Sequence, residues 1–130
     1  MKAELKNIEK HTDERGWLVE ILRDDEIKEE IKQVYFSTSK PGAIRGNHYH
    51  KHKVEWFSVV KGKAKLVLED NKSNKREELI LSEDTPAIVK ITPNISHAIQ
   101  NIGDDEMYLI VIVNEVFNRD DTDTFYVKLI

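Results

Sequence analysis

Cysteine is absent from this 130-residue sequence. That excludes disulfides and thiolate metal ligands, and it removes any argument for an oxidising compartment. Long apolar runs are missing as well, with nothing approaching the ~18 residues needed to cross a bilayer. The residues after Met1 are polar, so neither a membrane span nor a signal peptide is expected, and a cytoplasmic address is the simplest reading. Positive charge is not in excess: 20 Lys and Arg face 24 Asp and Glu for a net charge of −4, and the two signs are interspersed. Without a basic stripe, nucleic acid is not an expected partner. Glycine is scarce, and the five at positions 16, 42, 46, 62 and 103 form no dinucleotide-binding fingerprint. Nothing in the chain marks a repeat or a linker, so residues 1–130 are expected to form one domain.

What is present is a series of short alternating or β-branched runs, each closed by a turn signal. They cover 17–22, 32–37, 55–60, 63–69, 77–81, 87–91, 97–102 and 107–113. Strands of this length and spacing predict an all-β antiparallel sandwich or barrel. One stretch, 24–31, has apolar residues four apart among good helix formers and looks helical, though too short for more than a surface turn or two. The acidic clusters at 24–30 and 120–123 read as solvated surface.

Chemistry concentrates between Gly42 and Gly62. There His48 and His50 are one residue apart, and Glu55 follows after a short loop. On a strand, residues i and i+2 point to the same face, so the two imidazoles share a side. His97, far along the chain, is the fourth candidate. Three imidazole nitrogens and one carboxylate oxygen suit a divalent transition metal, zinc first, with iron, nickel or manganese as alternatives, and are too nitrogen-rich for magnesium or calcium. His11, before a polar turn, and His52, between two lysines, read as ordinary polar side chains. Tyr49 lies between the two ligands and is expected to face away from them.

The intervals joining Gly42, His48, His50, Glu55 and Gly62 match every fixed position of the first cupin motif, GlyX5HisXHisX4GluX6Gly. Pro86, Thr92, Asn94, His97 and Asn101 keep the spacing of the second, with residue types retained at His97 and Asn101. Asn94 is a reasonable replacement for a turn glycine, because asparagine tolerates left-handed backbone. The chain is therefore identified as a member of the cupin superfamily, and the resemblance implies a double-stranded β-helix, the jelly-roll barrel. From about Lys32 onward, the segments 39–50, 55–57, 101–107, 113–118 and 123–126 resemble the C-terminal zinc-binding cupin domain of capsular-polysaccharide UDP-sugar epimerase/reductases. The stretches 13–20 and 45–49 are also similar to dTDP-4-dehydrorhamnose 3,5-epimerases and dTDP-sugar 3,4-ketoisomerases.

The resemblance implies epimerisation or isomerisation of a nucleotide-linked 4-keto-6-deoxy sugar in surface-polysaccharide biosynthesis, with a nucleotide sugar as ligand. Reduction of the product would fall to a separate reductase. The rhamnose-type enzymes use the histidine aligned with His48 as a metal-free base. Here His50 and Glu55 favour a ligand role for it, because a lone pair given to a metal cannot also take a proton. Tyr35, on a strand that would carry Gln33 and Ser37 on the same face, and the loop residue Lys53 are the candidate bases. Arg45, before Gly46 in the family's ArgGly pair, is the candidate diphosphate anchor. Trp56 and Phe57 flank Glu55, and one of them should pack inward. Glu115 and Tyr126 lie near the family-like tail. Three classes stay open: the epimerase, an iron-dependent oxygenase, and a sugar-binding or structural cupin without turnover. Exposed strand edges make a homodimer the expected assembly, with strand 17–22 as a candidate for pairing.

Overall fold

Alternation of apolar and polar residues, interrupted by Gly, Pro and Asn turns, builds twelve strands in a computed structural model that describes residues 3–130. Met1 and Lys2, from which the reading of a polar start partly came, lie outside the described residues. The strands are β1 (Glu4–Asn7), β2 (His11–Asp13), β3 (Gly16–Leu18), β4 (Gln33–Ser39), β5 (Ile44–Tyr49), β6 (Glu55–Lys61), β7 (Lys63–Asp70), β8 (Arg76–Ser82), β9 (Ala87–Ile91), β10 (Ile95–Asn101), β11 (Met107–Val113) and β12 (Phe125–Tyr126). Two five-stranded antiparallel sheets, ordered β1-β9-β6-β11-β4 and β12-β5-β10-β7-β8, face each other. This is the all-β cupin jelly roll that the sequence implies.

The main core lies between the sheets. Phe57, Val59, Val89, Leu109 and Val111 from one sheet meet Leu66, Leu68, Leu81 and Ile99 from the other. Burying each such side chain contributes about 1.5–3 kcal/mol. The outer face of the first sheet is apolar too. Trp56, Ile88 and Ile112 are covered there by Ile8, Ile21, Leu22 and Ile27 of the N-terminal segment. Phe57 is thus the inward member of the aromatic pair and Trp56 the outward one. The outer face of the second sheet buries Val67 and Ala98 under Leu129, with Val127 and Ile130 beside them.

One expectation is corrected and another narrowed. The strand expected over 17–22 ends at Leu18 and pairs as a β2–β3 hairpin. Beyond it, Ile21 and Leu22 are drawn onto the Trp56 cluster, so the chain crosses a sheet face instead of extending the ladder. The helix expected over 24–31 is only a 3-10 turn, Asp24–Glu26. One turn cannot offset the cost of helix nucleation, while Ile27 packs on the same cluster and Glu29 pairs with Lys90 at 2.7 Å, pulling the rest straight.

Candidate functional site

The site begins with an irregularity in β5. Its pairing with β10 sets His48 opposite His97 and Gly46 opposite Ala98, so Asn47 is an extra, bulged residue. Gly46 (φ +90°) and Asn47 (φ +57°) take up the left-handed backbone this requires. Asn47 also accepts the backbone N–H groups of Leu129 (2.9 Å) and Ile130 (3.2 Å), tying the C-terminal segment to this strand. In the second sheet, Tyr126, His48, His97 and Leu68 form one cross-strand row. In the first, Gln33, Val113, Glu55 and Ile91 form another. The two rows meet inside the barrel.

There, one ring nitrogen from each of His48, His50 and His97 falls within 4.8 Å of the others. Oε1 of Glu55 accepts a hydrogen bond from Nε2 of His50 at 3.0 Å and lies 3.3 Å from Nε2 of His97. Ligands on one metal with bonds of about 2.0–2.2 Å stand roughly 3.0–3.5 Å apart, so these separations already suit neighbours around a shared ion. The ring orientations are fixed from behind. Nδ1–H of His50 donates to the Asp123 carbonyl at 2.7 Å, and Nδ1–H of His97 donates to the Ile95 carbonyl at 3.0 Å. That arrangement turns Nε2 of both rings inward. Nε2 of His97, on a side chain only 1 % exposed, has no hydrogen-bond partner among the described residues. A buried lone pair without a donor is what a cation would satisfy, and the donor set fits a divalent transition metal.

Electrostatics agree. Burial, reinforced by His97 and His50, depresses the His48 pKa to about 4, which keeps that imidazole neutral and able to ligate. Burial opposes charge on both Glu55 and His50, yet their mutual hydrogen bond prevails. Glu55 is held well below the usual carboxylate range, and His50 is raised.

The remaining candidates sit at different distances from this centre. Tyr35 lies in the inner-face row with Val111 and Phe57. Burial, then the Glu55 carboxylate beside it, push its phenol well above the ordinary value, even though the residue is 42 % exposed at the barrel mouth. Arg45 spans from β5 to β4, donating to the Thr38 carbonyl (Nη2, 2.8 Å) and to Oγ of Ser39 (Nε, 3.1 Å). Lys53 is held by the tail: its ammonium donates to the Thr122 carbonyl at 3.0 Å, and its charge still bears on His48 and His50. It shares a separate cavity with His52, Glu115 and Asp121. Tyr126 is open at the rim, its ring centroid 6.3 Å from that of His48. Tyr49 faces outward and stacks on Phe125. A further cavity of about 550 Å³, lined by Leu5, Leu22 and Trp56, lies under the N-terminal segment and shares no residue with the cluster.

One residue escaped the sequence reading. Asp123, placed with the solvated acidic run 120–123, is buried, and its carboxylate accepts the backbone N–H groups of Lys51, His52 and Lys53. The signal was its place in the family-like tail, ahead of Thr124 and Phe125. Asn101 is likewise buried, donating to the Ser39 and Asp105 carbonyls.

Comparison with known proteins places this site in context. Residues 11–125 match the family model described as "Polysaccharide biosynthesis C-terminal domain". The chain is 36% identical over 115 residues to the UDP-2-acetamido-2,6-beta-L-arabino-hexul-4-ose reductase of Pseudomonas aeruginosa, which covers 88% of this chain and 30% of that protein. It is 29% identical over 123 residues to the TDP-4-oxo-6-deoxy-alpha-D-glucose-3,4-oxoisomerase of Aneurinibacillus thermoaerophilus, covering 93% and 85%. Among solved structures, the capsular polysaccharide assembling protein CapF of Staphylococcus aureus superposes with a TM-score of 0.74 at 32% identity, covering 94% of this chain and 34% of CapF. The chain thus spans about a third of the reductase and of CapF.

Proposed function

The chain belongs to the polysaccharide biosynthesis C-terminal domain family, and from that premise we propose that it is a metal-dependent epimerase or isomerase of a nucleotide-linked 4-keto-6-deoxy sugar, acting as one cupin domain over residues 1–130. The observation that carries this reading is the convergence of His48, His50 and His97 with Glu55 alongside. Support comes also from relatives named for a 4-keto sugar reductase and a 4-oxo-6-deoxy sugar isomerase.

The hydrogen on the carbon beside a ketone is acidified by that ketone. Epimerisation removes this proton, leaves an enolate, and returns a proton to the opposite face. A divalent ion, zinc first among the candidates, supplies positive charge for the oxygen on which negative charge develops. His48, His50, His97 and Glu55 would hold it. Tyr35, beside Glu55 at the mouth, carries its proton at neutral pH and is placed to donate it to the substrate carbon. Arg45, clamped on Thr38 and Ser39, presents a fixed charge for the diphosphate. Lys53 is the candidate acceptor of the abstracted proton, and it would act as that base only once deprotonated and released from the Thr122 carbonyl. These residues carry no dinucleotide-binding fingerprint, so any reduction of the product falls to residues or a protein outside them.

The proposal includes a homodimer. The β2–β3 hairpin joins neither large sheet among the described residues, and it presents Trp17 (43 % exposed) and Leu18 (60 % exposed). No described helix is long and apolar enough to cross a membrane.

The test is incubation of the zinc-loaded protein with a panel of UDP- and dTDP-4-keto-6-deoxy sugars in deuterated water. Deuterium should enter at a carbon beside the ketone of at least one. No incorporation into any of them defeats the enzyme reading in favour of a cupin that binds without turnover. Oxygen consumption by an iron-loaded sample would instead indicate an oxygenase.

A further inference from the structure

We infer that Asp123 is the positioning residue of the metal site, holding the His50 ring in one orientation and one tautomer. The inference rests on the metal reading above and adds to it a residue that lies outside the ligand set.

Asp123 grips the chain at four consecutive positions with two different groups. Its backbone carbonyl accepts Nδ1–H of His50 at 2.7 Å. Its carboxylate accepts Lys51 N–H through Oδ1 (2.9 Å), and His52 N–H (2.9 Å) and Lys53 N–H (3.1 Å) through Oδ2. Residues 51–53 form most of the turn that joins His50 to Glu55, so the same carboxylate sets the path between two of the site's side chains. The residue adopts φ +51°, a left-handed conformation that costs a non-glycine residue free energy and persists where surrounding contacts impose it. That conformation turns the carbonyl to the ring while the carboxylate meets the turn. The flanking residues are tied down as well: Thr122 accepts from Nζ of Lys53 and from Oγ1 of Thr124.

The chemical consequence follows from imidazole itself. A neutral ring has one N–H and one lone pair, and whichever nitrogen holds the proton cannot ligate. In the metal-free ring Nδ1–H is engaged by the Asp123 carbonyl and Nε2–H by Glu55; with Nδ1–H held, the proton that a metal would displace is the one on Nε2, and the ligating lone pair is fixed there. Loss of the carboxylate frees the turn and lets the carbonyl drift from the ring, so both the tautomer and the aim of His50 loosen. A role confined to capping the turn would need the three N–H contacts and not the fourth to the ring.

Asp123→Gly removes the carboxylate without straining φ, and Asp123→Asn keeps an acceptor oxygen and tolerates φ. Three quantities are read: the ring nitrogen shifts of His50 in metal-free protein, amide exchange at 51–53, and zinc affinity by competition with a chelating dye. Asp123→Gly should lose amide protection, lose the hydrogen-bonded Nδ1–H signal of His50 and weaken zinc binding about 10- to 100-fold, the usual effect of losing an outer-shell partner. Asp123→Asn should weaken it by less than tenfold. A hydrogen-bonded Nδ1–H as in wild type together with wild-type zinc affinity in Asp123→Gly overturns the inference. If that variant does not fold, Asp123→Asn decides: the inference requires a measurable loss of affinity, and none overturns it. Wild-type protein that takes up no zinc would defeat the metal reading, while the His50 shifts still decide what Asp123 does.

Discussion

A methyl group placed on Gly46 would stand 2.8 Å from the carbonyl oxygen of His97 and 3.2 Å from the Cα of Ala98. Both obstacles are backbone, so neither can rotate aside. The φ of +90° adds a second penalty. Gly46→Ala is expected to destabilise the protein by on the order of 1–3 kcal/mol from backbone strain alone. It should also part His48 from His97, so zinc content should fall together with the urea midpoint. A variant equal to wild type in both would show that the bulge does not set the site.

The imidazoles predict an unusual pH profile for metal-free protein. An unfolded histidine titrates near 6.5, whereas burial and its neighbours hold native His48 near 4. Between those values the unfolded chain keeps a proton that the native state refuses. The His48 contribution is therefore full above about pH 6.5 and is lost as pH falls toward 4. His50 works the other way: its raised value gives stability below 6.5 that is lost as pH rises through its native pKa. Denaturation midpoints in chelator should fall on the acid side of pH 6.5, and His48→Gln should flatten that limb. An acid limb of unchanged slope in the variant counts against the assignment.

Tyr35→Phe removes the one phenol held beside Glu55 while keeping the ring. Loss of a general acid typically costs 10²–10⁴-fold in rate. Deuterium incorporation should drop by that order, with zinc content and substrate affinity close to wild type. Retention of full activity would exclude Tyr35 as the proton donor.

Assembly can be read separately. Serine at both Trp17 and Leu18 removes the apolar surface of the hairpin, and light scattering should report the monomer mass, with zinc retained. A wild-type protein already monomeric at micromolar concentration ends the dimer proposal.

Much of the barrel was legible because short β-branched and apolar runs mark its central strands. The runs 87–91 and 107–113 coincide with β9 and β11, and the pairing of His48 with His50 on one face followed from the alternation of side chains along a strand. Asn94 indeed takes a left-handed conformation, φ +66°. What stayed hidden depends on partners distant in the chain. β1 consists of exposed, mostly polar residues and exists because β9 offers it an edge. Asp123 looked like one more solvated acid, because its three N–H donors lie about seventy residues upstream. Lys53 looked like a free loop lysine until Thr122 claimed its ammonium.

The direct pairing of His48 with His97 would tie cation uptake to the correctness of the fold. A slip of one residue between β5 and β10 would present Ala98 or Ser96 in place of the imidazole and turn His97 out of the barrel, since adjacent residues face opposite sides. Recovery of zinc during refolding would thus count the molecules whose strands have found their native partners, and chains trapped in a shifted alignment would be left behind as the fraction that cannot be loaded.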